Sequence, residues 1–285
     1  MTDPSLVRAA RRAWSGLECL HVIGYFAEET RDQYVALGLH PRLSYFPARA
    51  AAMGPVGPGV SEATFYVFAP WLHRAALPAA WDVTTPERLV KARRDGTAEA
   101  LGRILGEPDV SEALAIARQV TEGLTAAGRP LYAAHAGLDW PGDEVLALWH
   151  AATLVREHRG DGHVAVLTAS GIGPVEATVL DGLWSGRTTF LHRTRGWSED
   201  ELAAGTASLV RRGWVEGDAL TDKGRHARDH VEQRTDAAGL AGWEHAGLEQ
   251  TERLAVLLAP LRQRVVGSGV LPGEIARALE RAGNS

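Results

Sequence analysis

The stretch Leu209-Val210-Arg211-Arg212-Gly213-Trp214-Val215-Glu216-Gly217-Asp218-Ala219-Leu220-Thr221-Asp222-Lys223-Gly224-Arg225 decides the fold. A helical run carrying Leu202, Leu209 and Val210 stops at Gly213, a residue suited to closing a helix. Trp214-Val215-Glu216 and Ala219-Leu220 then read as two short strands about a Gly217-Asp218 turn. Thr221 supplies an oxygen to cap a new helix. Upstream, Ser198-Glu199-Asp200-Glu201 is a capping serine followed by an acidic first turn, which favours a helix start.

Working outward, almost everything else has helical periodicity. Asp3-Pro4 opens a helix over 4–26, and further helices are expected over 28–37 and 42–53. The cluster Gly54-Pro55-Val56-Gly57-Pro58-Gly59 is a break. Ser61-Glu62 is expected to open an aromatic-rich helix holding Phe65, Tyr66 and Phe68. Thr85-Pro86 starts a helix to 105, and Ser111-Glu112 starts one to 128. Residues 129–143 read as a loop. A long helix follows over 144–159, closed by a Gly160-Asp161-Gly162 turn. Helices over 174–184, 225–239, 248–266 and 273–282 complete the chain. The expected fold is mostly α, a set of helical bundle elements with one small hairpin. It divides into a helical part over 1–140 and a hairpin-bearing part with C-terminal helices over 141–285. Trp14 with its helix and then Tyr34-Val35-Ala36-Leu37 loosely echoes Trp149 with its helix and then His163-Val164-Ala165-Val166. That echo fits a divergent tandem duplication, in which the halves pack about a cleft, no better than it fits chance.

The 285 residues are 45% hydrophobic, enough for a substantial core, and carry a net charge of −5. A mild acidic excess gives no general attraction for nucleic-acid phosphates. The single cysteine, Cys19, excludes an internal disulfide and a cysteine-rich metal site, and reads as a core thiol. No window of about 18 uninterrupted apolar residues exists, so no membrane span is expected. The amino terminus lacks a signal-peptide pattern, so a cytoplasmic protein is expected. There is no Gly-x-Gly-x-x-Gly, Walker or Gly-x-Ser-x-Gly pattern, hence no support for a nucleotide cofactor or a serine nucleophile.

The order helix, Leu209 to Val215, turn, Leu220 to Arg225, helix resembles the winged-helix module of MarR-type regulators over about residues 175–235. More widely, the chain resembles an actinobacterial family of MarR-related helix-turn-helix proteins largely without assigned chemistry. The segments carrying that likeness are Tyr45 to Pro55, Ala63 to Phe68 and Trp149 to His163. The resemblance implies that the strand pair is the wing and that the helix before it is the one offered to the DNA major groove. Three carboxylates at the start of that helix, and alanines where base-reading groups belong, argue against DNA as a partner. Arg187, His192, Arg193 and Arg195 remain available for phosphate.

Chemistry concentrates in Leu148 to His163, where imidazoles, carboxylates and guanidinium groups sit among apolar neighbours. Glu157, His158, Asp161 and His163 are the candidate catalytic groups. His21, Tyr25, Arg49, Tyr66, Trp149, His150 and Arg156 are the candidate ligand-binding groups. The two glycines about Asp161 are expected to fold Asp161 and His163 back over the helix end. His158 or His163 would move a proton, Glu157 or Asp161 would orient it, and Arg49 or Arg156 would hold an anionic or carbonyl group. A salt-bridged helix end accounts for the same residues. A metal on His150, His158 and His163 with Glu157 or Asp161 is a narrower version, at a spacing that matches no established ligand pattern. Nine tryptophans favour a large apolar cavity. The expected function is small-molecule binding on a winged-helix scaffold, as a cofactor-independent acid/base enzyme acting on a specialised metabolite by hydrolysis, elimination or isomerisation. A ligand-responsive MarR-type regulator and a ligand-sequestering protein are the alternatives, and a homodimer is compatible with each.

Overall fold

The computed structural model describes residues 3–284 and is mostly helical, with one two-stranded sheet among the described residues. Helix α1 (Pro4–Phe26) starts where expected, with the Asp3 carboxylate accepting from the Ser5 amide and Pro4 in the first turn. Helices α2 (Glu28–Ala36) and α3 (Tyr45–Ala50) follow, the latter running into a 3₁₀ turn at Ala51–Met53. Next come α4 (Pro58–Thr64), α5 (Pro70–Val83), α6 (Pro86–Leu105) and α7 (Ser111–Glu122). The aromatic-rich helix expected after Ser61 does not form. Helix α4 stops at Thr64, and Phe65, Tyr66 and Phe68 occupy the turn before α5, where Phe65 and Phe68 pack with Phe46 and Leu77.

Residues 129–143 are not a plain loop, because they contain α8 (Pro130–Ala136). The largest departure is α9 (Glu144–Ala169), which runs through Gly160-Asp161-Gly162 without a turn. The reason is tertiary. The Arg129 guanidinium lies across α9 at this level and donates to the carbonyls of His158 and Ala238. A Cβ on Gly162 would sit 2.6 Å from Arg129 Nη1, so this glycine provides close approach rather than a bend.

Helices α10 (Pro174–Ser185), α11 (Thr188–Arg195) and α12 (Glu199–Arg211) lead to β1 (Val215–Glu216) and β2 (Ala219–Leu220). The sequence gives no sign of α11. It forms because Gly186, at φ 72°, ends α10 in the left-handed conformation and lets the chain restart. Helix α12 begins with a full capping box between Ser198 and Glu201. The strands pair antiparallel as Val215 with Leu220 and Glu216 with Ala219. Helices α13 (Asp222–Ala238), α14 (Ala241–Gly267, kinked at Gly247) and α15 (Gly273–Asn284) end the chain.

The main core joins α1, the end of α6, α7, the first half of α9, α14 and α15, so it draws on both sides of residue 140. A second core, built on the end of α9, α10, α12, the two strands and α13, closes the hairpin-bearing unit. Tyr34 to Ala36 ends the short helix α2, whereas His163 to Val166 lies inside the long helix α9. No single helix among the described residues is long and apolar enough to cross a membrane.

Candidate functional site

Helices α1, α3 and α9 meet at a buried ion cluster. Glu157 is fully buried and accepts from Arg49 through both oxygens, Nε to Oε1 at 3.2 Å and Nη2 to Oε2 at 2.8 Å. Arg156 Nη1 donates to the same Oε2 at 2.7 Å. Tyr25, on α1, places its hydroxyl 3.2 Å from Glu157 Oε1 and 2.7 Å from His21 Nε2. His21 Nδ1 lies 3.0 Å from Thr153 Oγ1, which also lies 3.1 Å from the Trp149 carbonyl. The Tyr25 hydroxyl gives its one proton to Glu157, so Nε2–H of a neutral ring donates to the Tyr25 oxygen and Nδ1 accepts from the Thr153 hydroxyl. The result is a chain of hydrogen bonds, Glu157–Tyr25–His21–Thr153, anchored by Arg49.

Burial alone would push the Glu157 carboxyl up, but Arg49 holds it below the usual carboxylate range. Burial drives the His21 imidazole well below its ordinary value, so the ring is neutral. It drives the Tyr25 phenol well above its own. Arg49 also lies over the Phe65 ring, 4.6 Å from its centroid, and donates to the Tyr45 hydroxyl at 2.9 Å.

Thus His21, Tyr25, Arg49, Glu157 and Arg156 come together, whereas the other candidates disperse around α9. Asp161 accepts from the amides of Leu131 (3.0 Å) and Tyr132 (2.9 Å), capping α8 from outside that helix. Burial raises its carboxyl to about 6 against the pull of those amides. His158 packs edge-on to Tyr132, with ring centroids 5.1 Å apart, and burial lowers it to about 4. His163 bonds Thr235 on α13 at 2.9 Å and is lowered to about 4 by burial and Arg159. His150 packs edge-on to Trp140 at 4.9 Å. Trp149 is core, and Tyr66 belongs to the second core, donating to the Ile172 carbonyl at 2.7 Å. The expected gathering of Glu157, His158, Asp161 and His163 does not occur, because an unbroken helix points them at different neighbours. For the same reason His150, His158 and His163 do not converge. Among the described residues no three His, Cys, Asp or Glu side chains gather where a cation is held. Cys19 is a fully buried thiol, pushed up to about 12 by burial.

A cleft of about 1360 Å³ opens beside the cluster, between α1, α9 and the α10–α11 pair. Tyr25, Arg156 and His163 line it, as do Trp71 and Trp184. Two lining residues lie outside the expected set of catalytic and ligand-binding groups. Glu18, between Leu17 and Cys19 on α1, is raised to about 7, first by burial and then by Glu157, with Arg156 Nε 3.8 Å away. A carboxylate inside an apolar helical run was its only signal. Arg195 stacks on Phe68 with its guanidinium 4.5 Å from the ring centroid, and it has no carboxylate partner among the described residues. Arg187 and Arg228, by contrast, are paired with Asp181.

No curated protein and no solved structure matches the chain. A model of a helix-turn-helix family matches residues 10–272, which includes both the ion cluster and the α10–α12 unit with its hairpin. With nearly the whole length matched, the chain belongs to this helix-turn-helix family.

Proposed function

We propose that the protein binds an anionic, partly aromatic small molecule in the cleft, and that its helix-turn-helix unit, of the MarR-type winged kind, serves as a wall of that cleft. The observation that carries this reading is the cleft itself, walled by Tyr25, Phe68, Trp71 and Trp184 and offering the guanidinium of Arg195 without a carboxylate beside it. Ligand sites of this type combine mostly apolar walls with a few placed polar groups. The volume exceeds the usual range for a drug-sized ligand, which favours a large metabolite.

The outward face of α12 does not suit DNA. Glu199, Asp200, Glu201, Ala203, Ala204 and Ala207 are exposed along it, and Glu216 and Asp218 are exposed on the hairpin. Phosphates repel such a surface, and the one cation of α12, Arg211, lies in its last turn, far from the acidic start. Arg195, one of the residues available for phosphate by sequence, is in the cleft wall instead.

Fluorescence tests the proposal directly, because Trp14, Trp71, Trp184 and Trp243 line the cleft. Titration with 8-anilinonaphthalene-1-sulfonate, an aromatic anion, is expected to quench them saturably. Arg195→Met is expected to weaken binding about tenfold, the worth of one charge-assisted hydrogen bond. Equal affinity in the two proteins would remove Arg195 from the site, and no saturable response would remove the cleft.

Acid/base turnover of a specialised metabolite is the second reading, favoured by Glu18. A carboxyl that titrates near neutrality in a cleft wall is matched to proton transfer at physiological pH. Glu18→Gln would then abolish turnover while leaving ligand affinity within a few-fold. A sequestering protein would bind the ligand and return it unchanged.

A further inference from the structure

A second, smaller cavity shares no lining residue with the cleft. Arg93 of α6, His135 of α8, and Trp149, His150 and Thr153 of α9 line it, and the exposed Asp139 and half-exposed Arg94 also border it. Arg93 is 3% exposed. Its guanidinium carbon lies 5.3 Å from the Tyr25 ring centroid and 5.1 Å from that of Trp149. Nη1 is 3.5 Å from His135 Nε2. Nε and Nη2 have no hydrogen-bond partner among the described residues, and neither has His150 Nε2. Arg49 uses the same two guanidinium atoms, Nε and Nη2, to hold the carboxylate of Glu157.

A guanidinium cannot shed its proton to escape burial. Its neighbours do not neutralise it either. His135 and His150 are held uncharged by burial and by Arg93 itself, at about 3 and about 4. Glu157 is engaged by Arg49 and Arg156. Water in the cavity would satisfy hydrogen bonds but leave an uncompensated buried charge, which is costly. We propose that this cavity binds a small monovalent anion of the size of formate, nitrate or chloride, with Arg93 as its charge partner and the imidazoles of His135 and His150 as hydrogen-bond donors. The cavity volume of about 40 Å³ suits that size and exceeds the need of a single water. This assignment is independent of what occupies the cleft.

Thermal unfolding of the full chain in sodium formate, against sodium gluconate of equal ionic strength, tests the proposal. The wild type is expected to unfold about 3 °C or more higher in 100 mM formate than in gluconate. A crystal soaked in bromide should show an anomalous peak within hydrogen-bonding reach of Arg93. Arg93→Met should lose the formate response, and Arg93→Lys should keep part of it. Equal melting in formate and gluconate, or an equal gain from inorganic phosphate, would overturn the proposal, as would a bromide-soaked crystal with no peak in this cavity. The wild-type measurements decide the matter even where Arg93→Met fails to fold.

Discussion

Glu157 illustrates how one buried charge organises its surroundings. Arg49, Arg156 and Tyr25 all direct polar hydrogens at it, so removing it leaves Arg49 charged and 7% exposed with no counter-ion. Glu157→Gln is expected to cost about 3–5 kcal/mol in urea unfolding, and Arg49→Met a similar amount. The double variant Arg49→Met/Glu157→Leu should lose less than either, since neither partner is then left as a buried charge without the other. Losses that simply add would mean that the two residues are not coupled. Residues of this kind were only partly legible in the sequence. Arg49, Glu157, His21 and Tyr25 stood out because polar groups interrupted apolar runs. Arg93 did not, because Lys91-Ala92-Arg93-Arg94-Asp95 has the composition of a solvated helix face. Only the packing of α6 against its neighbours takes Arg93 out of water while Lys91 stays exposed.

At the scale of elements, local chemistry located most boundaries. Asp3, Thr85, Ser198 and Thr221 each cap the helix their position implies, and the hairpin lies between Gly213 and Thr221. Helix α9 defeats that logic, because Gly160-Asp161-Gly162 has turn composition and yet stays helical. Its glycines cost helix propensity, about 1 kcal/mol each relative to alanine, and Arg129 offsets this by filling the space that a side chain at 162 would take. Two opposite outcomes follow. Gly162→Ala in the native background should destabilise the protein, because the added methyl displaces a guanidinium fixed by two carbonyls. In an Arg129→Ala background the same change should stabilise by up to about 1 kcal/mol, propensity then being opposed only by the Ala238 Cβ 3.3 Å from the new methyl. Chemical unfolding of the four proteins measures both effects, and the same sign in both backgrounds would show that Arg129 is not the reason for the glycine. The dispersal of the candidate catalytic groups has the same origin, since a turn would have gathered Asp161 and His163 where a straight helix separates them.

Across the whole molecule, buried ionisable groups set the response to acid. His135, His150, His158 and His163 are held at about 3 to about 4, while an unfolded imidazole titrates near 6.5. Between those values the unfolded chain binds more protons than the folded one, so each ring takes stability away as pH falls from 6.5 towards 4. Glu18 and Asp161 act in the other direction. Their folded values, about 7 and about 6, lie above those of free carboxyls, so their contribution is complete below the unfolded value and is lost as pH rises through the folded one. Each imidazole shift is worth about 3 kcal/mol and each carboxyl shift about as much, and the rings outnumber the carboxyls. Stability should therefore be greatest near pH 7 and decline steadily below pH 6, read as the urea midpoint between pH 8 and pH 4.5. His163→Gln, which can still bond Thr235 but no longer titrates, should flatten the decline. Glu18→Gln should steepen it by removing a group that gains from acid. A midpoint that rises between pH 6 and pH 5 would mean that the folded protein takes up more protons there than the unfolded chain, and that these imidazoles are not held neutral.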